Sequence, residues 1–127
     1  MSDADALHSL YGIDWTSVDE RSRGLAAAKE VMAGGVQAQI SPELGDRTLL
    51  GVEGFAVFVE GLEEDFSLFR YEVESLEPRD DGRFVLSGVI RARGRRSNMP
   101  LSSPFTHVWT LEDGRAVRVE ASLSDAT

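Results

Sequence analysis

The chain of 127 residues has no cysteine, a single lysine (Lys29) and two histidines. Without cysteine there is no disulfide framework, no thiolate nucleophile and no zinc–sulfur centre. No apolar run approaches the roughly 18 residues of a spanning helix, which excludes a helical membrane protein. The N-terminus, Met1 to His8, carries acids where a secretory signal needs a basic stretch before an apolar one. These absences point to the cytoplasm. Positive charge is scarce as well: 13 Lys and Arg stand against 22 Asp and Glu, a net charge of −9. That argues against nucleic acid as a partner, because duplex binding depends on neutralising phosphates. Two separated histidines leave a transition metal without its preferred ligands, and neither a Gly-rich phosphate loop nor a Gly-x-Ser-x-Gly elbow occurs. No metal and no other cofactor is expected.

What is present is the composition of an ordinary globular protein, 42% hydrophobic and 28% charged. A chain of this length makes one domain, 1–127, and buries roughly two-thirds of its unfolded surface. The main concentration of basic residues is Arg91, Arg93, Arg95 and Arg96. It reads as an anion site or as a solvated strand end, and the second is the commoner fate of a charge run.

Ser17 and Glu20 form the pattern of a capping box, in which both side chains satisfy free helical N–H groups. Behind it Val18, Leu25, Ala28 and Met32 recur at helical spacing, and Gly34-Gly35 is expected to end the helix. Val36 to Ile40 alternates like a short strand, and Ser41 to Asp46 has the composition of a loop. Val52, Phe55, Val59, Leu62 and Phe66 mark a second helix from about Val52 to Asp65, with Phe58 widening its apolar stripe. From Phe69 the period changes to two. Strands are expected at Phe69–Glu77, Phe84–Arg93, Phe105–Leu111 and Ala116–Leu123. Turns fall at Asp80-Asp81-Gly82 and Asp113-Gly114, and a loop at Asn98 to Pro104. Helices followed by hairpin-linked strands describe an α+β domain with helices on one face of an antiparallel sheet.

Several segments together resemble the SnoaL-like group of the nuclear-transport-factor-2-like superfamily. They are Ser41 to Thr48 leading into Gly51-Val52-Glu53-Gly54-Phe55, then Phe66 to Glu74, then Arg91 to Ser97, and His107-Val108-Trp109 running to Asp113-Gly114-Arg115. The resemblance spans about 14–125. It implies a cone-shaped curved antiparallel sheet packed on helices, with a pocket inside and frequent homodimers through the outer sheet face. Its members include polyketide cyclases, steroid isomerases, epoxide hydrolases and proteins without catalysis, so fold does not settle function. A full first helix usually precedes the segment matched to Leu25 through Ile40. Here only some twenty residues are available, so the pocket wall should be shorter or differently closed.

His107 is the candidate catalytic residue. It shares a strand face with Phe105, Trp109 and Leu111, and the resemblance points a histidine there into the pocket. Its ordinary pKa suits proton transfer, but a proton shuttle needs a second polar group in reach. In the resembling enzymes an aspartate stands on the inward face of the last strand, and here Ala121 takes its position. Alternation turns Val117, Val119, Ala121 and Leu123 inward and Arg118, Glu120 and Ser122 outward. A one-residue bulge would exchange the two sets and bring Glu120 inside. Phe55, Phe58, Tyr71, Phe105, His107, Trp109, Val119 and Ala121 are the pocket candidates, with core filling as the commoner role of such aromatics. Trp15 reads as a plug or a hydrophobic staple.

Three functions remain open on these grounds. The first is a site for a small hydrophobic molecule, without the usual catalytic pair. The second is an isomerase or cyclase using His107 with Glu120, Glu72 or Tyr71. The third is a dimerisation module with a filled cone. A homodimer is expected in any case, with Arg118, Glu120 or Ser122 at the interface.

Overall fold

The computed structural model of the chain describes residues 3–40, 47–79 and 81–123. Within them run α1 (Asp3–His8), α2 (Val18–Val31), β1 (Met32–Ile40), β2 (Arg47–Leu50) and α3 (Gly51–Asp65). β3 (Phe66–Pro78), β4 (Arg83–Gly94), β5 (Pro100–Glu112) and β6 (Arg115–Ser122) complete the fold. The expected loop from Ser41 to Asp46, and Asp80 of the first turn, lie outside the described residues. The strands form one curved six-stranded sheet in the order β2-β1-β6-β5-β4-β3. All neighbours are antiparallel except one pair: β1 runs parallel to β6, which corrects the expectation of a wholly antiparallel sheet. A parallel pair cannot be joined by a hairpin, and β1 and β6 are joined through α3 and four strands.

The helices occupy the inner side of this sheet. Ala28 and Val31 of α2 and Val59 and Leu62 of α3 share one buried cluster with Leu86, Phe105, Trp109 and Val119. Leu86 and Phe105 are wholly enclosed, and burial of each such side chain contributes about 1.5–3 kcal/mol. No helix among the described residues is long and apolar enough to cross a membrane.

Ser17 does cap α2, its Oγ accepting from the Glu20 N–H at 3.5 Å. The reciprocal half of the capping box is absent: the Glu20 carboxylate accepts from the Asp14 N–H at 3.3 Å instead. α2 also ends earlier than expected. Gly34 and Gly35 lie inside β1 without positive φ, and Met32 is already extended, with its N–H on the Ala28 carbonyl. Chain reversal there needs no left-handed glycine, because buried Met32 enters the sheet directly opposite Ala116.

Two further boundaries depart from the sequence reading. β2 was not anticipated, since four residues carry too little periodicity to see. Pro100 to Pro104 was expected as loop, yet it belongs to β5 and pairs with β4 from Arg93 to Val89. In that stretch β5 has one strand neighbour among the described residues, since pairing with β6 begins at Thr106. Prolines are tolerated on such an edge because one side of the strand has no ladder to lose.

Gly88 shows how tightly β3 and β4 approach. A Cβ there would collide with the backbone carbonyl of Glu72, next to the irregularity that β3 carries between Val73 and Ser75. The arginine concentration at the end of β4 is largely used by the fold itself. Arg91 pairs with Glu72 at 3.0 Å, and Arg93 donates to the Asn98 carbonyl at 3.1 Å. Arg95 donates to the carbonyls of Glu63 at 2.5 Å and Phe66 at 3.1 Å, closing the C-terminus of α3.

Candidate functional site

The inner face of the sheet, α3 and the segment between α1 and α2 leave a cavity of about 60 Å³. Phe55, Phe58 and Val59 of α3 line it, with Ala38 and Ile40 of β1, Leu49 of β2 and Val119 and Ala121 of β6. The remaining wall is Tyr71 of β3, His107 and Trp109 of β5, and Leu10, Tyr11, Trp15 and Met32. The site residues expected from sequence are therefore brought together, with one exception. Phe105 is completely buried beneath Tyr11, Tyr71 and His107 and does not reach the cavity. It supports the site from below by ring contact, 4.7 Å between its centroid and that of His107.

The last strand carries a bulge, but not where it would matter for chemistry. Leu111 pairs with Ala116 and Thr110 with Arg118, so Val117 is the extra residue. Ala116 is consequently buried together with Val119, whereas Val117 is only half-buried and does not line the cavity. Leu123 also stays outside the lining. Beyond the bulge the alternation resumes as expected, with Val119 and Ala121 inward. Glu120 is exposed and pairs with Arg118 at 3.1 Å. Glu72 is held by Arg91 on the outer face. Of the three groups considered as partners for His107, only Tyr71 is near it, its ring packed edge-on at 5.0 Å.

The partner that His107 does have was missed. Tyr11 places its hydroxyl 2.5 Å from His107 Nδ1, and the same oxygen accepts the Trp109 indole N–H at 2.8 Å. Tyr11 belongs to the segment between α1 and α2, which runs along the free edge of β3. The Gly12 N–H donates to the Tyr71 carbonyl at 3.1 Å and the Trp15 N–H to the Phe69 carbonyl at 2.9 Å. Asp14 Oδ1 ties the segment further, accepting from the N–H groups of Phe69 at 3.2 Å and Thr16 at 3.0 Å. Trp15 is a plug in the sense expected: it is buried, meets Phe55 edge-on and lies where a Cβ on Gly24 would be 2.6 Å from its ring. The short α1 and this strapped segment close the cone in place of a longer first helix. The available signal was the aromatic pair Tyr11 and Trp15, four apart and flanking Gly12 just ahead of the helix cap.

Electrostatically the site is neutral. Burial drives the His107 imidazole down to about 3. Burial likewise raises Tyr71, and it raises Tyr11 well above 10 against the opposing effect of the Trp109 hydrogen bond. At neutral pH all three are uncharged. No carboxylate lines the cavity among the described residues, and no group of three or more His, Asp or Glu among them could hold a metal ion.

No protein-family profile matches the chain, and no curated protein matches it in sequence. Solved structures do. A nuclear-transport-factor-2-like protein of unknown function from Burkholderia pseudomallei superposes with a TM-score of 0.78 at 20% identity, covering 98% of this chain and 92% of that one. TerC, co-crystallised with polyporic acid, gives 0.79 at 21% identity over 96% and 91%. A protein assigned as a SnoaL-like polyketide cyclase, from Jannaschia sp. CCS1, gives 0.78 at 17% identity over 94% and 83%. With six strands curved around α2 and α3 and a cavity between them, the chain has the nuclear-transport-factor-2-like fold.

Proposed function

We propose that the chain binds a small, neutral, hydrophobic molecule inside the cone, without the acid–base pair that catalysis on it would use. The observation that supports this reading is the make-up of the wall. It is apolar apart from Tyr11, Tyr71, His107 and Trp109, which are uncharged at neutral pH and can offer hydrogen bonds but no ready proton acceptor of carboxylate strength. An apolar cavity of roughly 150 Å³ admits benzene. At about 60 Å³ this one takes fewer heavy atoms as it stands, and larger rings require a wall side chain to swing aside. Phe58, half-buried with the Arg47 guanidinium 5.2 Å above its ring, is placed to do so. The co-crystallisation of TerC with polyporic acid supports a small organic ligand in this fold.

Trp15 and Trp109 both line the cavity, so a fluorescence titration with cyclic ketones, steroids and aromatic polyketide fragments reads occupancy directly. Saturable quenching without product is expected. Product formation that disappears in His107→Ala would replace this reading with an isomerase or cyclase. No saturable binding by any of them would leave a dimerisation module. We also propose a homodimer through the outer sheet face, which no helix covers among the described residues and which carries Arg118 and exposed Glu120.

A further inference from the structure

We infer that Tyr11 fixes which nitrogen of His107 carries the proton, and thereby selects ligands that accept a hydrogen bond, such as small cyclic ketones, over hydrocarbons or hydrogen-bond donors of the same shape. The inference rests on the cavity being the binding site.

The direction of the hydrogen bonds follows from what each group can do. The Trp109 indole N–H only donates, so at 2.8 Å the Tyr11 oxygen is its acceptor. The Tyr11 hydrogen must then be placed. The acceptor within reach is His107 Nδ1, 2.5 Å away. A neutral imidazole has one donor and one acceptor nitrogen. If Nδ1 carried the proton, the Tyr11 oxygen would receive two donors, and its own hydrogen would be buried without an acceptor among the described residues. Buried polar groups are seldom left that way. If Nδ1 accepts, both hydrogens between these side chains find acceptors, the Trp109 N–H on Tyr11 and the Tyr11 O–H on His107, and the one donor left over is the imidazole's own, on its other nitrogen. The imidazole proton then lies on Nε2.

That nitrogen has no hydrogen-bond partner among the described residues and is not among their sealed, unpartnered polar atoms. His107 lines the cavity, so a molecule entering it meets an N–H. A carbonyl or ether oxygen completes the chain. A hydrocarbon leaves the donor unsatisfied, and a second donor opposes it. Tyr11 touches no reacting atom in this scheme; it acts as a positioning residue through Nδ1.

Two measurements on the full chain test this. The first is the ¹⁵N chemical shifts of the two His107 nitrogens near neutral pH, which need no ligand. The proton is expected on Nε2 in the native chain and on both nitrogens by turns in Tyr11→Phe. A native chain protonated on Nδ1 overturns the inference. The second compares cyclopentanone, methylenecyclopentane (the same shape without an acceptor) and pyrrole (a donor) by tryptophan quenching. The ketone is expected to bind about fivefold more tightly than the hydrocarbon. That preference should fall towards unity in His107→Phe, which serves if Tyr11→Phe does not fold. Equal affinity for ketone and hydrocarbon in the native chain overturns the inference while leaving the cavity as the binding site. Failure of all three probes to bind overturns the ligand preference, and the proposed function falls with it only if the steroids and aromatic fragments fail to bind as well.

Discussion

Lowering the pH from 7 to 5 should cost the folded chain about 2 kcal/mol through His107 alone. In the unfolded chain its imidazole titrates near the ordinary value of about 6.5. In the fold, burial among Tyr11, Tyr71 and Phe105 holds it at about 3, and no acidic side chain lines the cavity among the described residues to offset that. Between those values the unfolded state binds a proton that the folded state excludes, so stability falls as pH falls. The loss begins near pH 6.5 and is complete near pH 3, where it amounts to about 5 kcal/mol at roughly 1.4 kcal/mol per pH unit. Urea unfolding at pH 7, 6 and 5, followed by circular dichroism, measures it when the native chain is compared with His107→Gln. The 22 acidic residues and His8 are common to both proteins and cancel in the difference. The native chain should lose about 2 kcal/mol more than the variant between pH 7 and pH 5. Parallel losses would mean that the imidazole titrates as if in water, and the description of the site as buried and neutral would fail.

Three further outcomes follow from the structure. Gly88→Ala should destabilise by about 3 kcal/mol, the upper end for overpacking, because its methyl meets the Glu72 carbonyl rather than a side chain that can move; a change in thermal midpoint too small to resolve would contradict the close approach of β3 and β4. Arg95→Ala should cost about 1 kcal/mol by freeing the carbonyls of Glu63 and Phe66 at the end of α3, whereas Arg96→Ala, at an exposed position in the β4–β5 turn, should stay within about 0.5 kcal/mol. Light scattering at micromolar concentration should return twice the 13.9 kDa chain mass, and a monomer mass would refute the homodimer.

Local physics determined much of this protein before any contact was known. The Ser17 cap, the apolar stripe of α3 and the period of two from β3 onward depend on neighbours a few residues away. So does the Asp113-Gly114 turn, where both residues take positive φ, 53° and 80°. Alternation along β6 likewise placed Val119 and Ala121 inside and Glu120 outside, and the Val117 bulge left that part intact because it lies before them. Other features are settled only when distant segments meet. β1 beside β6, and Pro100 to Pro104 as strand, depend on which edges remain free once the sheet has formed. The site is the clearest case. Tyr11 and His107 stand 96 residues apart, and no periodicity or spacing relates them. What joins them is the backbone of residues 12 to 15 binding the open edge of β3, which carries the Tyr11 ring over the inner face of β5. The chemistry of His107 also depends on that enclosure, because an imidazole titrates by what surrounds it, and the surroundings exist only in the folded chain.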